Sequence, residues 1–205
     1  HEHISYGTLN DSDGNPFKTR DGGTKPLSEL FEETYEYIKN INSDLEDSII
    51  KQLANSVLTF SDLITNRKTD YKFDLEKFTN VNGKTGIYVQ YAQVRAKKLQ
   101  QSIAERKNEM ENIVLSDVDK QLLSQLFMFG YFLEQSSSLN EPHHLANYLY
   151  DISNSFNQFY EHEKLSEIKD INHLISKLYL INLFLTTSEN VMFCLGMKPV
   201  DKMWL

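Results

Sequence analysis

Between residues 88 and 195 the apolar side chains recur at intervals of three and four, and this periodicity restricts the fold more than any other feature. An α-helix turns once every 3.6 residues, so such a row occupies one face, and an apolar face must be buried against another element. Val89, Ala92, Ala96, Leu99 and Ile103 form one row, within a helix predicted over 88–110. Leu122, Leu126, Phe129 and Leu133 form a second, in one helix predicted over 117–135. Leu145, Leu149, Ile152, Phe156 and Phe159 form a third, in a helix opened by Pro142, since proline suits a first turn. Residues 166–195 hold one or two more helices, stopped by Gly196 with Pro199 just beyond. Successive amphipathic helices with short links predict a mainly α chain ending in a helical bundle.

The segment before residue 88 is mixed. Ile4, Tyr6 and Leu9 alternate loosely, as in a strand, and dense turn chemistry follows at 10–16. Ser28 is the expected N-cap of a helix with Leu27, Leu30, Phe31, Thr34 and Ile38 on its apolar face. A second helix, over about 45–64, carries Ile49, Leu53, Val57 and Phe60. Residues 66–86 read as irregular, and the change of pattern near 87 sets the expected boundary between domains at 1–87 and 88–205. No apolar run approaches the ~18 residues of a membrane span, because Ser176, Lys177 and Asn182 interrupt the richest one. The single cysteine, Cys194, excludes an internal disulfide and, among Val191, Met192, Phe193 and Leu195, reads as a buried core thiol. These features predict a reduced, cytoplasmic setting, no membrane partner and a monomer.

The chain carries a net charge of −8, which opposes binding to nucleic acid. Between residues 88 and 110, however, Arg95, Lys97, Lys98, Arg106 and Lys107 face only Glu105 and Glu109, a net of +3. In the same helix Tyr88, Tyr91, Arg95, Lys98 and Ser102 repeat the spacing of the core row, displaced by one position. This stripe therefore borders the core and meets solvent. Rings that stack on unpaired bases and cations that meet phosphates are the equipment of a single-stranded RNA site. By spacing alone a packed boundary whose cations snorkel explains it more simply.

The loop at 17–24 joins Lys18 and Arg20 to Thr19, Thr24, Gly22 and Gly23, a composition that suits either an anion site or a solvated turn. Asn82-Gly83-Lys84-Thr85 mimics the end of a phosphate-binding loop, but Phe78 stands where its first glycine belongs. His143 and His144 are adjacent, and neighbours along a helix do not face each other. His162 and His173 have no ligand spacing, so no metal site is expected.

Four segments carry a family resemblance. EHISYGTLNDSDGNPFKTRDGGTKPLSELFEE resembles the signature-loop region of arginyl-tRNA synthetases, which are class I aminoacyl-tRNA synthetases. NRKTDYKFDLEKFTNVNGKTGIYVQYAQVR resembles the join between their catalytic and anticodon-binding domains. EPHHLANYLYDISNSFNQFYEH and the ending LGMKPVDKM are similar to the family's last helices. The segments lie in family order and span nearly the whole chain.

The resemblance implies a short α/β remnant of a Rossmann-like class I catalytic domain, followed by a helical anticodon-binding domain of the DALR type. It implies ligation of L-arginine to its tRNA with ATP and magnesium: arginyl-adenylate and pyrophosphate form first, and the arginyl group then passes to the terminal ribose. On this likeness Lys18, Thr19 and Arg20 are the catalytic loop residues, and His3, Ser5, Gly7, Gly22, Gly23 and Thr24 bind ATP. The tRNA-facing set is Tyr88, Gln90, Tyr91, Arg95, Lys98, Asn157 and Tyr160. The loop departs from the family pattern, since it lacks the Met-Ser pair and has Asp21 where a second cation can stand. Ile87 replaces the usual proline after Thr85-Gly86. The family's His-Ile-Gly-His-type motif and its arginine pocket are not in this sequence, so the expectation is a fragment inactive by itself. The alternative is a free-standing helical interaction module with no catalysis. Retention of the phosphate-type loop favours the first.

Overall fold

The computed structural model describes residues 3–10, 26–103 and 112–203. Helix α1 (Leu27–Ile41) follows Pro26, so Ser28 lies inside the helix and does not cap it. Leu30, Thr34 and Ile38 are its buried face, and the Thr34 hydroxyl donates to the Leu30 carbonyl at 2.7 Å. Leu27, expected on that face, stays 71 % exposed because it precedes the first buried turn. Helix α2 (Asp47–Leu63) packs against α1 through Ile50, Leu53, Ala54 and Val57.

The segment expected to be irregular contains two short elements. Strand β2 (Tyr71–Lys72) pairs in parallel with β1 (Leu9–Asn10), Leu9 opposite Tyr71. A four-residue helix, α3 (Leu75–Phe78), is capped by the Asp74 carboxylate, which accepts from the Lys77 N–H at 3.0 Å. Both are too short to show in periodicity.

Helix α4 (Gly86–Ile103) is capped by the Thr85 hydroxyl, which accepts from the Tyr88 N–H at 3.1 Å. The single helix expected over 117–135 is two, α5 (Asp117–Leu126) and α6 (Phe129–Leu139), broken at Phe127 and Met128. The break lets Leu122 and Leu126 reach the core while Leu133 and Tyr131 remain exposed. Helix α7 (His143–His162) is the central one, and its whole expected row, Leu145 to Phe159, is buried. After a 3₁₀ turn (Leu165–Glu167), helix α8 (Ile171–Cys194) ends at Gly196, whose φ of 74° lies in the left-handed region. The Met197 N–H then donates to the Met192 carbonyl at 2.8 Å, closing the helix end. In that last turn Val191, Met192 and Leu195 take the core positions, so Phe193 and Cys194 point outward. The expectation of a buried thiol is therefore corrected. Among the described residues no helix is long and apolar enough to cross a membrane.

Two apolar clusters form the interior. The larger joins α4, α5, α7 and α8, with Phe156 stacked on Phe184 at 4.2 Å, and takes in Phe60 from α2. The smaller joins α1 and α2 to Ile87 and Val94 of α4 and to Val200 and Met203 of the tail. Helix α4 belongs to both, so the packing runs continuously across residue 87.

Among the described residues, one ion pair is buried on both sides. Lys177 and Asp119 are fully buried, with Nζ 2.7 Å from Oδ1. The Lys177 ammonium also sits 4.4 Å from the centre of the Phe159 ring. Asp119 closes a capping box with Ser116, and His173 on α8 lies 3.2 Å from its other oxygen. Burial alone would push the Asp119 carboxyl up, but hydrogen bonds from Lys177 and Ser116 outweigh it and hold the group below the usual carboxylate range. A carboxylate depressed in the folded state stabilises above its unfolded pKa of about 3.9, and that contribution is lost as pH falls through the lower folded value. Urea denaturation between pH 6 and pH 2 should therefore show a fall in midpoint beginning near pH 4. Asp119→Asn should start lower at pH 6 and show a flatter acid limb.

Candidate nucleic-acid interface

Helix α4 can carry a surface stripe only because its other sides are fixed. Gln90 is fully buried and its amide is used on three sides. Nε2 donates to the Ser56 hydroxyl at 2.8 Å and to the Lys198 carbonyl at 2.7 Å, and Oε1 accepts from the Val200 N–H at 3.0 Å. The expectation that Gln90 faces tRNA is corrected: it ties α4 to α2 and to the tail. Gln93, also buried, donates to the Ser188 hydroxyl of α8 at 2.7 Å. Gly86 brings the start of α4 against α2, where a Cβ would lie 2.2 Å from the Ser56 carbonyl oxygen.

The remaining sector presents the expected stripe. Tyr88, Tyr91 and Arg95 are half-buried, and Lys98 and Ser102 are exposed. The Arg95 guanidinium lies between two rings, 4.3 Å from the centre of Tyr91 and 4.5 Å from that of Tyr160 on α7. Its Nη1 donates to the Asn157 side-chain oxygen at 3.1 Å and faces a Glu161 oxygen at 3.4 Å. Asn157 is thus placed beneath the cation, buried, while Tyr160 is 37 % exposed. A cleft of about 280 Å³ opens here, lined by Tyr91, Arg95, Lys98, Leu99, Ser102 and Tyr160. The guanidinium spaces the two rings and orients both, since cation and π-face attract.

Nearer the start of α4 the row continues with residues that sequence reasoning missed. The Tyr88 ring lies 5.3 Å from that of Tyr150, and its hydroxyl donates to the Asn154 side-chain oxygen at 3.1 Å. Burial pushes the Tyr88 phenol up, so it remains a neutral donor. The Lys84 ammonium stands 5.2 Å from the Tyr150 ring centre and donates to Asn147 at 2.8 Å. On α7 the positions 147, 150, 154, 157 and 161 follow spacings of 3, 4, 3 and 4. That polar row beside the apolar one was the available signal.

The segment expected to border ATP forms a separate feature. The Gly7 N–H donates to the Arg67 carbonyl at 2.5 Å, and a Cβ on Gly7 would come within 2.6 Å of the Thr69 backbone. The Arg67 guanidinium donates to the Ser5 carbonyl, and the Thr8 N–H donates to Asp70 at 2.6 Å. His3 and Ser5 are exposed, and Gly7 lines an open cleft of about 540 Å³ with Tyr6, Leu30, Phe31, Leu58 and Phe73. This segment is thus held through its backbone, by the Arg67 carbonyl and guanidinium and by the Asp70 carboxylate. Lys18, Thr19, Arg20, Gly22, Gly23 and Thr24 lie outside the described residues.

Residues 89–203, which include Tyr91, Arg95, Lys98 and their α7 partners, match the DALR anticodon binding domain. The chain belongs to this family. Residues 1–75 match the catalytic domain described as tRNA synthetases class I (R). Among curated relatives, an arginine–tRNA ligase of Francisella tularensis subsp. novicida is 36 % identical over 178 residues, covering 82 % of this chain and 31 % of that protein. One from Stutzerimonas stutzeri is 32 % identical over 212 residues, covering 98 % and 37 %. The chain thus spans about a third of the length of these relatives. The fold is that of the Thermus thermophilus arginyl-tRNA synthetase, with a TM-score of 0.85 at 22 % identity, covering 98 % of this chain and 35 % of the other. The Plasmodium falciparum arginyl-tRNA synthetase gives 0.77 at 24 %, with the same coverage.

The close approach at Gly86 can be tested without nucleic acid. Gly86→Ala should lower the urea midpoint by an amount equivalent to about 1–3 kcal/mol, because backbone and not a flexible side chain is in the way. Gly130→Ala in α6, where a Cβ meets nothing within 4 Å, should be neutral or stabilising by up to about 1 kcal/mol.

Proposed function

We propose that this chain is the tRNA-reading end of an arginine–tRNA ligase, joined to the part of its catalytic domain that closes on ATP. The observation that supports this best is the Arg95 guanidinium held between the Tyr91 and Tyr160 rings beside an open cleft. Two rings at the edge of a bundle, one cation between them and another at Lys98, suit unstacked bases of an RNA loop and their phosphates. The anticodon loop of arginine tRNA is the natural ligand on this reading. Tyr88, Tyr91, Arg95, Lys98 and Tyr160 meet it, and Asn157 positions Arg95. The likeness of residues 1–75 to a catalytic domain favours the ligase over a free-standing interaction module.

On the same reading ATP, with magnesium, and L-arginine are substrates of the whole ligase. His3, Ser5 and Gly7 border the adenosine, while Gly22, Gly23 and Thr24 flank the catalytic Lys18, Thr19 and Arg20. The two cations stabilise the charge that develops on pyrophosphate as adenylate forms. The domains divide near residue 87, with the linker ending where α4 begins. The protein works in the cytoplasm as a monomer.

The direct test is a titration of the chain with arginine tRNA. Affinity should fall as salt rises, but only modestly, because the few phosphate contacts release few counterions. Tyr91→Ala should weaken binding by roughly 1–3 kcal/mol, the loss expected when a base loses its stacking partner. Wild-type affinity in Tyr91→Ala and in Tyr160→Ala would remove the stacking role. A second test uses the whole ligase and ATP–pyrophosphate exchange. Arg20→Ala or Lys18→Ala should slow exchange by roughly 10²–10³-fold with little change in arginine binding. Arg20 is expected to matter more, since its planar fork can hold two phosphate oxygens. The chain alone should show no exchange.

A further inference from the structure

The turn between α6 and α7 holds a group of side chains that neither tRNA nor ATP binding uses. Glu141, His143 and His144 each offer a donor atom, and these atoms all lie within 4.8 Å of one another. Adjacent helical residues were expected to diverge. Here their rings lie 4.2 Å apart at the start of α7. Nδ1 of His143 and Nε2 of His144 are buried, and neither has a hydrogen-bond partner among the described residues. We propose that Glu141, His143 and His144 form a binding site for one divalent d-block cation of the zinc class.

The donor chemistry fits such an ion. Neutral imidazole nitrogens with a carboxylate oxygen suit zinc and its neighbours, whereas calcium and magnesium prefer oxygen alone. The spacing fits as well. Zinc bonds of about 2.0–2.2 Å in a tetrahedron put neighbouring ligand atoms roughly 3.3–3.5 Å apart. His144 Nε2 already lies 3.4 Å from Glu141 Oε2. An ion pair with a protonated His144 would explain that distance. It would not explain the orphaned Nδ1 of His143, since a buried polar atom with no partner is costly and a third ligand position satisfies it.

The scaffold is fixed before any ion arrives. Asn140 holds a left-handed φ of 53°, the Glu141 N–H donates to the Ser136 carbonyl at 3.0 Å, and the Ser136 hydroxyl donates to the Glu141 carbonyl at 3.2 Å. The Arg67 Nε–H donates to the Asn140 carbonyl at 2.9 Å, which joins this turn to the loop behind β2. Lys68 is the opposing charge, with Nζ 3.4 Å from Glu141 Oε1 and its side chain largely exposed. It competes for the carboxylate, so its removal strengthens the site. With three protein donors, the fourth position falls to solvent, and the cation exchanges freely.

The test is a calorimetric titration of the chelator-treated chain with zinc chloride, repeated with cobalt(II) to read the coordination from its visible spectrum. One equivalent should bind, with a tetrahedral cobalt spectrum. His143→Ala and the better-matched His144→Gln should each weaken binding at least about tenfold, the scale on which even outer-shell changes act. Lys68→Met should tighten it, and His162→Ala, on an exposed turn of the same helix, should leave it unchanged. Far-UV circular dichroism of each variant guards against loss of fold, and Lys68→Met carries the test should both histidine variants unfold. Binding of zinc at wild-type strength in folded His143→Ala and His144→Gln, no saturable single equivalent, or no gain in Lys68→Met would each overturn the proposal.

Discussion

The amide of Gln90 is the interaction on which the rest of the structure depends. It sits where three segments that are distant in sequence meet: α2 through Ser56, α4 itself, and the tail through Lys198 and Val200. A buried amide left unpaired would cost about 1–3 kcal/mol, so this geometry admits one relative placement of the three. Gly86 makes the same demand one turn earlier, since nothing larger than hydrogen fits against the Ser56 carbonyl. Helix α4 is thereby enclosed by both apolar clusters, and only one sector of it reaches solvent. That sector is the aromatic and cationic stripe.

What was legible in the sequence follows from how each side chain contributes to burial. The apolar rows of α2, α4 and α7 were legible because hydrophobic periodicity reports directly which face leaves water. Gln90 and Gln93 were not, because a polar side chain at a core position looks like a surface residue until its partners are known. Cys194 failed for a related reason. Its neighbours are apolar, but in a helix the neighbours at i±1 point elsewhere, and only Val191, Met192 and Leu195 turn inward. The break at Phe127 and Met128 carries no glycine or proline, so nothing local announced it. Packing against α7 decided it.

The site was half legible for a similar reason. The stripe on α4 was visible as a displaced copy of the core row, but its partners on α7 lie some sixty residues away and are selected by the packing of the two helices. Tyr150 and Asn154 therefore emerged only from the fold, as did the role of Asn157 beneath the Arg95 guanidinium. Along one helix the stripe divides, its first tyrosine engaged within the fold and its second beside a cleft. Tyr88 leans on Tyr150 and bonds to Asn154, whereas Tyr91 and Tyr160 border an open cleft.

The charges along the stripe also bear on how an acidic chain can carry the proposed RNA site. The local excess of cations overstates the positive field, because Arg95 faces Glu161 and Lys97 is held by Asp201 at 2.6 Å. Among the described residues Lys84 and Lys98 are the stripe's neighbours with no carboxylate within ion-pair distance. Two such cations give a weak electrostatic pull, which a net charge of −8 opposes further. Stacking suffers no such opposition, since ring faces attract bases at any ionic strength. Arg95 therefore acts less as a phosphate clamp than as the spacer that keeps Tyr91 and Tyr160 apart and in line, with Glu161 and Asn157 fixing its plane. On the proposed reading, a surface arranged in this way would favour loops whose bases are splayed out over duplex whose bases are hidden, without needing a basic protein.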